Sequence, residues 1–397
     1  MDYLHSRKDN DMKILLTATV QSHICQFHLP LINMLKEQGH EIHVAAKYNL
    51  DVKPGLSLEN VDKIFDVPFS RSPFSADNIK AYKRLKEIIN DNEYDTIHCN
   101  TPMGSVVTRL ATTSKTTKVI YTAHGFHFYK GAPIKNWLLY FPVEWLLAFK
   151  TDMLICINQE DYSFASKHLH AKEVKYVHGV GFDKKRFDDS LTKEMARKEL
   201  GIKDDETVLL SVGDINKRKN HHILIRALSL LKNSNPHLYI AGWDQLDGEL
   251  ERLAEELDVS SKVTFLGYTR QLSLYFNAAD IFLFPSLQEG LPIALIEAMS
   301  WGLPVVATNI RGTNDLISNG NGGYLLKTND FPGFADKIMW LSHMDELRKS
   351  FGERNRTEAQ KYEVAPVIEE MNLLYKTLMQ GSEKSEDSAS CNRYSHS

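Results

Sequence analysis

Cysteine is scarce in this chain: four in 397 residues (Cys25, Cys99, Cys156 and Cys391), with no Cys-x-x-Cys pair. That spacing excludes a disulfide framework and a cysteine-built zinc site, and it suits a reducing, cytoplasmic compartment. A long apolar run is also missing. The longest, Trp137 to Phe149, falls short of the ~20 residues that cross a bilayer and is interrupted by Pro142 and Glu144. The opening MDYLHSRKDND is too polar for a signal peptide, and residues 1–11 read as a disordered leader. Strong charge of one sign is absent. Lys and Arg number 47 against 51 Asp and Glu, a formal net charge of −4, which argues against nucleic acid as a partner.

What is present is a globular composition, 43% hydrophobic and 25% charged, at a length that suits two domains. MKILLTATV reads as a strand, QSHICQFHLPLINMLKEQGH as a helix stopped at Gly39, and EIHVAAK as a second strand. The alternation continues with a helix from Asn78 to Asn90, a strand DTIHCN, a helix from Met103 to Thr112 and strands in KVIYTAHG, MLICIN and VKYVHGVGFD. A polar stretch follows, and the linker is placed at Asp183 to Ser190. The pattern then restarts with TVLLSVGD, HHILIRALSLLK, HLYIAGW, KVTFLGY, IFLFPS and PVVATN. Strand–helix alternation of this kind predicts an α/β fold with two Rossmann-like, doubly wound domains, each binding ligands at the C-terminal ends of its strands. The expected site is the cleft across which they face. The expected boundaries are 12–187 and 188–362, with a helix over 363–380 crossing back to the first domain and a Ser-rich, disordered tail over 381–397.

The strongest chemical signal is FPSLQEGLPIALIEAMSWGLPVVAT. A strand ends near Pro285, Glu289 stands in the loop, and Gly290, Leu291 and Pro292 lead into a helix that carries Glu297. Free amides and the positive end of a helix favour a diphosphate there. Carboxylates accept two hydrogen bonds each, so Glu289 suits a sugar hydroxyl and Glu297 a ribose diol. The second signal is SVGDINKRKNHHILIRAL, in which Gly213 ends a strand and Arg218 and Lys219 can neutralise a departing diphosphate. In each case the competing reading is an ordinary loop with solvated charges. A third signal, YTAHGFHFYKGAP, sets His124, Gly125 and His127 after a strand end; either histidine can instead be structural. No carboxylate or cysteine lies at ligand spacing beside them, so no metal site is expected.

Together these strings resemble the family-4 retaining glycosyltransferases of GT-B fold, in particular bacterial exopolysaccharide and capsule enzymes, from Met12 to about Leu378. The resemblance implies transfer of a hexose or N-acetylhexosamine from a nucleotide diphosphate-sugar, a UDP-sugar, to a saccharide or lipid-linked saccharide. It implies retention, no metal and no cofactor, with His124, Glu289 and Lys219 as the catalytic set. Gly213, Arg218, Gly290, Leu291, Pro292 and Glu297 would join Lys219 in holding the donor. Three departures stand out. Asp214 occupies the position of the family's arginine, Asp315 replaces a glutamate in IRGTNDLI, and TVQSHICQFH replaces a Gly-Gly loop. In that loop Ser22 and His23 can contact donor or acceptor, or simply shape the turn. Two further readings stay open: a nucleotide-sugar epimerase of the same fold, and a non-catalytic nucleotide-sugar-binding partner of a polysaccharide assembly. The basic run Arg71, Lys80, Lys83, Arg84, Lys86 and the aromatic segment from Trp137 to Trp145 read first as a solvated helix and a core helix, and otherwise as a surface for salt-sensitive docking on an anionic membrane at the inner face of the cell.

Overall fold

The computed structural model describes residues 11–53, 55–187, 191–231 and 235–391. The chain forms two units: Met1–Gly181 joined by Val364–Ser397, and Phe182–Glu363. The first holds seven strands: β1 (Lys13–Val20), β2 (Glu41–Lys47), β3 (Lys63–Asp66), β4 (Thr96–Asn100), β5 (Lys118–Ala123), β6 (Met153–Cys156) and β7 (Glu173–Tyr176). They form one sheet in the order β3-β2-β1-β4-β5-β6-β7, every pair parallel. Parallel strands need crossovers, supplied by α1 (Gln21–Phe27), α2 (Leu29–Glu37), α3 (Asp77–Asn92), α4 (Pro102–Ala111), α5 (Ile134–Ala148) and α6 (Gln159–His168). Both sheet faces are covered, so the interior of β1, Ile14 to Ala18, is fully buried.

The second unit repeats the plan. Its strands are β8 (Thr207–Val212), β9 (Pro236–Ala241), β10 (Val263–Gly267), β11 (Ile281–Phe284), β12 (Val305–Thr308), β13 (Ser318–Asn319) and β14 (Gly322–Leu326), in the order β10-β9-β8-β11-β12-β14-β13 and again parallel throughout. The helices are α7 (Lys193–Glu199), α8 (His222–Ser229), α9 (Glu249–Glu256), α10 (Leu272–Ala278), α11 (Ile293–Ser300), α12 (Thr313–Leu316), α13 (Phe331–Ser342) and α14 (Asp345–Ala359). In each sheet the order reverses near the centre, between β1 and β4 and between β8 and β11. Doubly wound sheets bind ligands beyond the strand ends at such reversals.

The last helix, α15 (Val364–Cys391), belongs to the first unit although the whole second unit precedes it. Val367, Met371 and Tyr375 recur at four-residue steps and are buried in one core with Leu31, Ile32 and Leu35 of α2.

Several sequence expectations are revised. The single helix read through Gln21–Gly39 is two, α1 and α2, separated at His28 (φ −123°, ψ 0°). Pro30 has no N–H to continue the first helix, but it fits the opening turn of the second. The edge strand β3 went unread because KIFD is short and mostly exposed. The helix α6 also went unread, although Asn158 caps it by accepting from the Asp161 amide at 2.8 Å. The helix α15 continues to Cys391, past Gly381 where a disordered tail was expected. GSEKSEDSASC has no apolar face, but it also has no proline, and helix propagation asks only for the next backbone hydrogen bond. Residues 392–397 of that tail and 1–10 of the expected leader lie outside the described residues.

Candidate active site

In the second unit, the loop after β8 and the loop after β11 leave from adjacent strands at the sheet's reversal point. The first carries Gly213, Arg218 and Lys219, and the second carries Glu289. They meet. Arg218 Nη1 and Lys219 Nζ both lie against the same Glu289 oxygen, Oε1, at 2.8 and 2.9 Å. The loops are also tied through the backbone: the Leu287 amide donates to the Arg218 carbonyl at 2.8 Å, and Arg218 Nη1 donates to the Gln288 carbonyl at 2.9 Å. Lys219 Nζ also sits 4.8 Å from the centre of the Phe284 ring, a cation–π contact. Among the described residues no partner is placed on Glu289 Oε2, which leaves that oxygen able to accept from a ligand hydroxyl.

Glycine is required at two points here. Gly213 has φ +150°, and a Cβ on it would stand 3.0 Å from Lys219 Cε. Its bare backbone lets the lysine stem lie flat against the strand end. Gly312 has φ +80°, and a Cβ would lie 2.3 Å from the Gly290 carbonyl oxygen, so the loop after β12 passes directly over the Glu289 loop. Pro292 is the residue preceding α11, and no side chain caps that helix. Gly290 and Leu291 precede it, and the first-turn amides of Ile293 and Ala294 have no intrahelical acceptor. Glu297 lies on α11 itself and is partly buried.

In the first unit His124 follows β5. Its Nε2 stands 3.4 Å from His23 Nε2 and 3.4 Å from Asn100 Oδ1. His23 is on α1, directly after β1, and Asn100 ends β4, so this group sits at the first sheet's own reversal point. His23 Nε2 is also 3.4 Å from Nε2 of the buried His28. A cavity of about 520 Å³ opens beside them, lined in part by His23, Arg71, Tyr121, His124, Phe128 and Tyr140. The helix α5 borders it. Glu144, the one acid in the apolar run, is buried there against Arg109 at 2.7 Å, and that guanidinium lies 4.3 Å from the Tyr121 ring. Such a pair is stable only while both partners remain.

Loss of solvent around the rings keeps these histidines neutral. It holds His124 down at about 4 and His98 at about 3, and it takes His28 and His23 well below the ordinary value. In the second unit burial takes His221 to about 3. The unfolded chain takes up protons at these side chains near pH 6.5, whereas the folded chain resists until the lowered values are reached. Stability is therefore full above pH 6.5 and falls as pH drops below it, by roughly 1.4 kcal/mol per pH unit for each such histidine. Thermal melts between pH 7.5 and 5 should show a steep fall. A flat profile would mean that the rings become charged without opposing the fold.

Of the remaining expected site residues, Ser22 is buried and its hydroxyl accepts from Asn49 Nδ2 at 2.8 Å, which fixes the turn after β1. His127 packs on Tyr140 with ring centres 4.6 Å apart. Asp214 accepts from the Trp243 amide and from Gln245 Nε2, both at 3.3 Å, and so steadies the loop after β9. The sequence reading missed Arg311, whose Nε donates to the Glu289 carbonyl at 3.0 Å, although it stands in the quoted IRGTNDLI. It also missed Asn220, which donates to the carbonyls of Pro285 and Thr328 at 2.9 and 3.0 Å and thereby clamps the β11 exit. Only its place beside Lys219 hinted at that role.

Residues 192–358 match the family described as Glycosyl transferases group 1, and residues 13–158 match Glycosyl transferase 4-like. The chain is 40% identical over 377 residues to the proposed glycosyltransferase EpsD of Bacillus subtilis, covering 92% of this chain and 97% of that one. It is 28% identical over 291 residues to the Escherichia coli UDP-Gal:alpha-D-GlcNAc-diphosphoundecaprenol alpha-1,3-galactosyltransferase, covering 71% and 75%. The solved structure of Anabaena HepE with UDP and glucose superposes with a TM-score of 0.75 at 20% identity, over 92% of this chain and 100% of that one. Two parallel seven-stranded sheets of this order, matched over both halves, identify the chain as a GT-B glycosyltransferase of the group 1 family.

Proposed function

We propose that the chain moves a hexose or N-acetylhexosamine from a UDP-sugar to a lipid-linked saccharide in the synthesis of a bacterial surface polysaccharide, with retention and without a metal. The observation that carries this reading is the convergence of Arg218 and Lys219 on one oxygen of Glu289 beside the uncapped start of α11. Two cations and free amides supply the positive field that a departing diphosphate needs, the task that a metal performs elsewhere. The open Glu289 oxygen suits a hydroxyl of the transferred sugar and Glu297 the ribose, and the family resemblance gives His124 of the first unit a part in catalysis. The bond from that carbon to the phosphate oxygen breaks, and its electron pair leaves with the diphosphate. The acceptor oxygen bonds to the carbon on the same face, and its proton passes to a phosphate oxygen. The names of the Escherichia coli relative and of the HepE complex support a UDP-sugar donor and a diphospholipid-linked acceptor.

The test is release of UDP from UDP-sugars in the presence and absence of a lipid-linked saccharide, with and without EDTA. Release that needs the acceptor and survives EDTA is expected. Conversion of the donor without acceptor would indicate an epimerase, and no turnover with any donor a binding module. Loss in EDTA restored by Mg²⁺ would overturn the metal-free mechanism.

Among the described residues no helix is long and apolar enough to cross a membrane. The helix α5, however, is not the core helix that one sequence reading allowed. Ile134 and Leu138 are 77% and 74% exposed, and Leu146 and Phe149 are exposed with them. On α3 the basic run is partly cancelled, since Lys80 pairs with Asp77 and Arg84 with Glu87. Docking on a lipid surface would therefore rest on α5 more than on charge. Replacing Leu138 and Leu146 with glutamate should abolish vesicle binding, whereas reversing Lys80, Lys83, Arg84 and Lys86 should only weaken it. The opposite ranking in a flotation assay would return the role to α3.

A further inference from the structure

Three imidazole nitrogens converge in the first unit. The ligand atoms of His23, His28 and His124 all lie within 4.8 Å of one another, and among the described residues no other group of three His, Cys, Asp or Glu side chains does so. The two shorter separations, His23 to His28 and His23 to His124, are each 3.4 Å between Nε2 atoms. That is long for an N–H donor to a ring nitrogen. It matches the roughly 3.4 Å that separates two nitrogens held tetrahedrally at ~2.0–2.1 Å from one zinc ion. The third pair lies within 4.8 Å, and the small ring movement that closes it falls in the broad range of a histidine χ2 rotation.

The chemistry selects the ion. Three neutral imidazoles suit zinc, copper, nickel or cobalt, whereas magnesium and calcium take oxygen. An ion here binds ring lone pairs, so His124, whose Nε2 also faces Asn100 Oδ1 at 3.4 Å, carries its proton on Nδ1 when the ion is bound. The neighbouring His98 cannot serve, because its nitrogens are engaged by Tyr375 Oη at 2.9 Å and Thr122 Oγ1 at 2.7 Å. An ion has a way in, since His23 and His124 line the cavity that also holds Arg71.

We propose that His23, His28 and His124 bind one divalent transition-metal ion of the zinc class, and that this ion inhibits transfer by withdrawing the His124 nitrogen from catalysis. The binding half stands on the geometry alone. The inhibitory half rests on the role given to His124 above.

The experiment uses the full chain, stripped with EDTA and desalted. Zinc is titrated calorimetrically with magnesium as control, and cobalt is added as a coloured probe whose visible absorption reports nitrogen ligation. One zinc per chain, no magnesium heat and a tetrahedral cobalt spectrum are expected. His28→Gln should weaken zinc binding by more than the ~10- to 100-fold that loss of an orienting partner costs. Because His28 has no part in the transfer chemistry, that variant should keep its zinc-free turnover and escape zinc inhibition. If His28→Gln misfolds, the wild-type cobalt spectrum still decides ligation. Absence of zinc binding, or equal binding by His28→Gln, overturns the site and leaves the glycosyltransferase reading untouched. Site-specific binding with undiminished turnover overturns the inhibition and, with it, the catalytic role of His124.

Discussion

Replacing Glu289 with alanine is expected to lower turnover by about 10²- to 10³-fold, the size of effect that follows loss of one group aimed at the transition state. The fold should persist. Glu289 is a loop residue whose carboxylate, among the described residues, meets Arg218 and Lys219, and its backbone contact to Arg311 remains in the variant. The same change separates its two duties. As a counter-ion it holds both cations on Oε1, and as a ligand it offers Oε2 to the sugar. Alanine frees the cations, so affinity for the free nucleoside diphosphate should hold or rise while turnover collapses. Steady-state kinetics and calorimetry with UDP measure the two quantities. Wild-type turnover would remove Glu289 from the reaction. A parallel loss of UDP affinity would mean that the carboxylate serves mainly to place Arg218 and Lys219.

The second unit was the more legible one, for a local reason. Arg218 and Lys219 lie in one loop, Glu289 in another, and each loop follows a short, mostly apolar strand whose end can be read directly. Strand alternation alone then brings both loops to one edge of a parallel sheet. Arg311 and Asn220 were missed because their work is done on backbone carbonyls of distant segments, and such partners leave no trace in side-chain spacing. The first unit hid more. Its central strand TIHCN is entirely buried yet carries His98 and Asn100, against the rule that such strands read as continuous apolar runs. The polar residues are tolerated because Tyr375 and Thr122 satisfy His98, and Tyr375 arrives from the far end of the chain. The convergence of His23, His28 and His124 is hidden for a similar reason. His23 lies within α1, His28 stands at the helix break set by Pro30, and His124 comes from another strand end.

Ending the chain at Glu363 is expected to unfold the first unit at ordinary temperature, not merely to trim it. The cut removes α15, whose Val367, Met371 and Tyr375 are 1%, 7% and 2% exposed. Burial of each such side chain contributes about 1.5–3 kcal/mol, and three together approach the roughly 5–15 kcal/mol by which a domain is stable at all. Their removal also strips cover from Leu31, Ile32 and Leu35 of α2. Polar losses add to this. His98 loses the hydroxyl at its Nδ1 while remaining buried, and His178 loses Glu370, which holds its ring at 2.6 Å and its amide at 3.0 Å. An unsatisfied buried polar group costs about 1–3 kcal/mol. Two milder variants separate these terms. Tyr375→Phe keeps the packing and loses only the hydrogen bond, so it should melt a few degrees lower with activity retained. Truncation after Leu378 keeps all three core residues and should leave both melting temperature and activity near those of the full chain. Circular dichroism melts of the three proteins decide the matter. If the chain ending at Glu363 keeps the full-length melting temperature, α15 rests on the first unit without holding it together.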